Sequence, residues 1–87
     1  ATTKKTRVRR RNAAVSQIGA NIVAARKARN WSTEKLAVES GLPYHTVYAY
    51  ERAEREPKAM AFCRLARALG VPMEALLDGV QFQKVPA

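Results

Sequence analysis

The side chains best suited to chemistry gather in one short stretch, YHTVYAYER, at residues 44–52. If Val47 and Tyr50 are given to a core, helical spacing leaves Tyr44, His45, Tyr48 and Ala49 on the outward side. These are residue types for recognition by contact. An imidazole N–H donates to an acceptor, a phenol ring packs on a methyl group while its hydroxyl reaches a polar edge, and an alanine offers only an apolar touch. Catalysis asks for a different assembly. His45 is the only histidine and Cys63 the only cysteine, which excludes an internal disulfide and a histidine or cysteine metal cluster. The seven acids are scattered among basic neighbours and the four glycines are isolated, so no acidic constellation and no glycine-rich phosphate loop can be assembled. Cys63 sits mid-helix on a largely apolar face and is expected to pack rather than react. We expect no enzyme, no metal and no cofactor.

What must position that stretch is the segment before it. TEKLAVESGLPYHTVYAYER, residues 33–52, reads as two short helices, 33–40 and 44–52, joined by a tight turn at Gly41. Leu36, Ala37 and Ser40 form the inner side of the first, and Val47 and Tyr50 that of the second. Gly41 falls where a left-handed residue ends a helix without a Cβ penalty. Counted from Thr33, the fifth position is small (Ala37), the ninth glycine (Gly41), and the fifteenth and eighteenth apolar or aromatic (Val47, Tyr50). Together these describe a helix-turn-helix, whose second helix is offered to the DNA major groove. His45 would then donate to guanine acceptors, Tyr44 pack on a thymine methyl, Tyr48 reach a phosphate or flank a base, and Ala49 touch a methyl. Helix 44–52 carries no outward Arg or Gln before Arg52, so the usual bidentate base contacts are missing. Phosphate positioning falls to Ser32, Thr33, Thr46, Arg52, Arg55 and Lys58.

Around this motif the chain divides into three. Residues 1–14 hold Lys4, Lys5, Arg7, Arg9, Arg10 and Arg11 with no acid among them, leaving ten basic against seven acidic residues for the rest of a net charge of +9. Such a block self-repels and is expected to be disordered when free, as an arm that follows phosphates or enters a groove. Residues 15–79 form the folded domain. Ser16 is the expected N-cap of a helix 16–29, in which Ile18, Ile22, Ala25 and Arg29 share a face. Pro57 marks the start of a fourth helix with a stripe of Ala59, Phe62, Leu65, Ala66 and Leu69 ending at Gly70. Met73, Leu76 and Leu77 make a short fifth. The fold class is therefore all-α, a compact five-helix bundle. Residues 80–87 show a weak period-2 alternation compatible with a short strand, which would need a partner such as the same tail of a second chain. No apolar run approaches the ~20 residues of a membrane span, and the N-terminus has no secretory apolar segment; with one cysteine, the expected setting is a reducing cytoplasm.

LAVESGLPYHTVYAYERAEREP and FCRLARALGVPMEALL, within residues 18–77, resemble the Cro/phage-repressor (xenobiotic-response-element) type of helix-turn-helix. The resemblance covers about two-thirds of the chain. It implies a lambda-repressor-like DNA-binding bundle with its third helix in the major groove, and an ion pair between Arg26 and Glu51. Three departures stand out: Thr33 replaces a glutamine common at the start of the second helix, Ala53 replaces the usual glycine after the third, and Pro43 and Pro72 replace serine caps. The function that follows is sequence-specific binding of double-stranded DNA, most simply by a transcriptional repressor acting as a homodimer on a palindromic operator. Two rivals keep the fold: an autoregulating antitoxin that also binds a toxin, and a bridging factor that uses the Tyr44/Tyr48 face on a protein.

Overall fold

The computed structural model describes residues 13–81. Among these, four α-helices run in chain order: α1 (Ala13–Ala28), α2 (Thr33–Ser40), α3 (Tyr44–Glu51) and α4 (Ala59–Leu69), followed by a 3-10 helix, Met73–Leu77. The all-helical expectation holds. The fifth helix does not form as an α-helix: between Pro72 and Asp78 the chain closes i to i+3 bonds, Ala75 N–H to Pro72 O at 2.9 Å and Asp78 N–H to Ala75 O at 3.4 Å. Five residues bracketed by a proline and a turn leave little length for α-helical bonding, and the tighter helix takes over. Gln81 and Val80 carry no strand, as befits a lone segment without a pairing edge; the remainder of the expected strand lies outside the described residues, as do the six basic positions from Lys4 to Arg11.

Helix α1 begins earlier than the expected cap. Ala13 and Ala14 are already helical and Ser16 lies inside the first turns, exposed, so it is not the N-cap. Two alanines, the best helix formers, extend the helix back past the serine. Ile18 and Ile22 of α1 meet Leu36 and Ala37 of α2, Val47 and Tyr50 of α3, Ala61, Leu65, Ala66 and Leu69 of α4, and Leu76. Ile22, Leu36, Val47 and Leu65 are wholly excluded from water, each such side chain contributing about 1.5–3 kcal/mol by burial. In α4 the inner stripe is Ala61, Leu65 and Leu69 with Ala66, whereas Ala59 faces solvent. Asn21 ties the 3-10 helix down: its amide donates to Leu76 O at 2.9 Å and Asp78 O at 2.8 Å, while its carbonyl accepts from Gln17 at 3.0 Å.

Every α-helix ends in the same pair of bonds. One or two residues past the helix the chain turns to positive φ, Asn30 at 60°, Gly41 at 73°, Ala53 at 63° and Gly70 at 71°. The next N–H then reaches back five residues: Trp31 to Arg26 O, Leu42 to Ala37 O, Glu54 to Ala49 O and Val71 to Ala66 O, all at 2.9–3.1 Å. This satisfies carbonyls that the helix cannot. Ala53 is the one non-polar side chain forced into that left-handed conformation, at a cost of about 1–2 kcal/mol. Ala53→Gly should therefore stabilise the fold by about 1 kcal/mol, part of the relief being offset by the extra freedom of an unfolded glycine. The check is a rise in urea midpoint at constant slope; a lower midpoint would contradict strain at this turn.

Candidate nucleic-acid interface

The helix-turn-helix is assembled from the inside. Ser32 Oγ accepts from Lys35 N–H at 3.0 Å and caps α2. At the other end Gly41 reverses the chain and Leu42 packs on the core. Pro43, extended at φ −62° and ψ 145°, enters α3 with no side-chain cap, and its carbonyl accepts from Thr46 and Val47. The fixed φ of proline and the half-buried Leu42 thus set the entry angle, as the missing serine cap requires.

What holds α3 against the rest is a polar knot at its C-terminal end. Arg26 Nε donates to Glu51 Oε2 at 2.8 Å and Nη2 to Oε1 at 3.3 Å, and its third nitrogen, Nη1, donates to Trp31 O at 2.9 Å. Their side chains are only 13% and 6% exposed, so the fork is a partly desolvated, two-bond pair. Thr33 Oγ1 donates to the same Glu51 Oε1 at 3.0 Å. The Arg26–Glu51 pair therefore joins α1, the loop before α2, the first residue of α2 and the last of α3. The ion pair implied by the resemblance is present; the third partner, Thr33, is additional. Its hydroxyl hydrogen is committed to Glu51 rather than to solvent, so a phosphate would meet Thr33 through its backbone N–H.

On the outer side of α3, Tyr44 and Tyr48 are 47% and 42% exposed, and His45 is exposed beside them. Ala49 and Thr46 are half-buried, so the outward face is narrower than helical spacing alone suggests. The two tyrosines stack, centroids 5.8 Å apart and planes 15° from parallel. Arg52 continues the row: its guanidinium lies 5.4 Å from the Tyr48 ring centre, Nη1 donates to Tyr48 Oη at 3.4 Å and Nε donates to Glu54 at 3.2 Å. The hydrogen bond to the Glu54 carboxylate, followed by the influence of the Tyr48 phenol, raises the pKa of Arg52 above its ordinary value. Tyr44, Tyr48 and Arg52 thus form one ladder at i, i+4, i+8, with Glu54 as its stop.

Ser32, Arg52, Arg55 and Lys58 are all exposed. Ser32 keeps a hydroxyl hydrogen to give, since its cap bond uses only a lone pair. Arg55 and Lys58 alternate with Glu54 and Glu56, so the loop after α3 is only mildly positive. Glu54 is the site residue that sequence reasoning missed, since it lies two residues from Arg52, a spacing that signals nothing by itself; Thr33, expected at a phosphate, turns its hydroxyl to Glu51 across 18 positions. A separate open groove of about 540 Å³ lies between α2 and α4, lined by Glu39, Met60, Cys63, Arg64 and Arg67, with the thiol half-buried. No α3 residue lines it. Among the described residues no three acids, cysteines or histidines are gathered closely enough for a metal ion, and no helix is long and apolar enough to cross a membrane.

Comparison with known proteins agrees with this geometry. Residues 22–76 match the helix-turn-helix family model HTH_3. The restriction-modification controller protein C.AhdI from Aeromonas hydrophila superposes with a TM-score of 0.70 at 31% identity, over 71% of this chain and 94% of that one. The hypothetical transcription factor NHTF from Neisseria gives a TM-score of 0.71 at 31% identity, over 74% of each chain. No curated protein sequence matches significantly.

Proposed function

This chain belongs to the Cro/phage-repressor type of helix-turn-helix family of DNA-binding regulators, and from that premise we propose that it is a transcriptional repressor, acting as a homodimer on a palindromic operator with α3 in the major groove. It works by binding rather than by catalysis. The observation that carries this reading is the exposed Tyr44–His45–Tyr48 face on a helix whose far end is locked by the Arg26–Glu51 fork. A reading helix must hold its angle, and its outward side must be free. Both solved relatives are named as regulators, one a restriction-modification controller and the other a hypothetical transcription factor, which supports a role in transcription.

In this arrangement Tyr44, His45, Tyr48 and Ala49 face base edges, while Ser32, Thr46, Arg52, Arg55, Lys58 and the N–H of Thr33 meet phosphates. The mixed charge of the loop after α3 leaves most of the electrostatic attraction to the six basic residues before residue 12. Selection of bound DNA from a random pool tests the proposal. It should enrich an inverted repeat with half-site centres about 34 Å apart, and failure to enrich any sequence would refute it. Removing residues 1–11 should reduce the slope of log affinity against log salt by about 0.9 for each phosphate lost. An unchanged slope would remove the arm from the phosphate contacts while leaving the assignment of α3 intact.

A further inference from the structure

We propose that the stacked Tyr44–Tyr48 pair is a methyl reader, selecting DNA through the 5-methyl groups of pyrimidines rather than through bidentate hydrogen bonds. The inference rests on the DNA-binding reading above and names the chemistry by which α3 would discriminate. The first ground is the inventory of the face. Of the side chains that α3 turns outward before Arg52, two are tyrosines, one is a histidine, and the half-buried neighbours are Thr46 and Ala49. None offers the paired donor and acceptor that grips adenine, or the double donor that grips guanine. The pyrimidine 5-methyl group is the apolar feature that a base pair shows in the major groove, and it is what an aromatic surface in that place can recognise.

The second ground is geometry. The rings are 5.8 Å apart and nearly parallel, a spacing closer to two base steps than to one at about 3.4 Å per step along a strand. A ridge of that pitch fits two methyl-bearing pyrimidines separated by one base. The third ground is how the ridge is held. Arg52 sits against the Tyr48 ring while its Nε donates to Glu54. Tyr48 Oη accepts from Arg52, so the contact steadies the Tyr48 ring beside Tyr44 while the phenol keeps its own hydrogen to give. A surface ordered before binding loses little side-chain entropy on contact, and weak methyl contacts then register as affinity.

Thymine and 5-methylcytosine share this chemistry, and the test separates them. A site selected from a random pool is resynthesised with uracil at each thymine in turn, and in a second series with cytosine or 5-methylcytosine, paired with guanine, at the sensitive positions. Burial of one methyl corresponds to about fourfold in affinity, and two per half-site to about 15-fold. We expect the uracil penalty at two positions per half-site, and tighter binding of 5-methylcytosine than of cytosine there. Tyr44→Phe and Tyr48→Phe, which keep the rings, should retain the penalty; Tyr44→Ala and Tyr48→Ala, checked for native helix content by circular dichroism, should lose it. Equal binding of thymine and uracil sites would overturn methyl reading while leaving DNA binding in place, as would an affinity that collapses in the Phe variants without any uracil penalty. A pool that yields no bound sequence would instead sink the DNA-binding reading, and this inference with it.

Discussion

Arg26→Ala is expected to destabilise the fold by about 3–5 kcal/mol, the range for removing one member of a buried pair. Three bonds from one guanidinium are lost, two to Glu51 and one to Trp31 O. The larger part of the effect comes from what is left behind: a Glu51 carboxylate with its side chain 6% exposed and only the Thr33 hydroxyl to answer it. Arg26→Lys should recover a minority of the loss, because a single ammonium cannot span both carboxylate oxygens and the Trp31 carbonyl. Replacing both partners by apolar residues, Arg26→Met with Glu51→Leu, should be markedly less harmful than Arg26→Ala, since no buried charge is then left unpaired. Urea unfolding of the three variants gives the comparison, and a loss below about 1 kcal/mol for Arg26→Ala would reduce the fork to an ordinary surface pair. Against the total of about 5–15 kcal/mol typical of a domain, the predicted loss is large enough to leave α3 poorly held at working temperature, so DNA affinity should fall with it.

Local pattern was enough to find this frame but not to complete it. Leu36, Ala37, Ser40, Val47 and Tyr50 are all buried, because periodicity within eight residues reports which side of a helix is apolar. Gly41 was legible for the same reason: its φ of 73° is a demand that the neighbouring sequence makes on its own. Thr33 was not, since its type suggested a phosphate contact at a helix start and only the fold brings Glu51 beside it. Asn21 likewise reads as one more polar position on α1, while its bonds to Leu76 O and Asp78 O span 55 and 57 residues. The narrowing of the α3 face, with Ala49 half-buried, follows from how close the following loop lies, which spacing does not encode. Tyr44 and His45 fall outside, as expected. Helix ends were the least legible part. Ser16 had the right chemistry for a cap, yet helix propensity upstream moved the start to Ala13.

The second large effect concerns Gly19, which no pattern singled out. It lies on α1 between the core residue Ile18 and the exposed Ala20, and a β-carbon placed there would stand 2.6 Å from Tyr50 O and 2.9 Å from Glu51 O. Both obstacles are main chain, so no side-chain rotation relieves them. The absence of a side chain at residue 19 is what allows α1 and the C-terminal end of α3 to cross so closely, and that crossing brings Arg26 within reach of Glu51. Two principles give opposite signs for Gly19→Ala. Helix propensity alone predicts a gain of about 1 kcal/mol in the middle of a 16-residue helix; the steric contact predicts a loss of about 1–3 kcal/mol from overpacking against a rigid neighbour. We expect the contact to win, because relief requires α3 to move away from α1 as a body and lengthen the Arg26–Glu51 fork. Gly19→Ala should lower the urea midpoint, and the same variant should weaken DNA binding by tilting the Tyr44–Tyr48 face. Ala20→Gly supplies the control at an exposed neighbour, where only propensity acts and a loss of about 1 kcal/mol without a change in DNA affinity is expected. A more stable Gly19→Ala would mean that α1 and α3 have slack at their crossing, and that the angle of the reading helix is set by the ion pair alone.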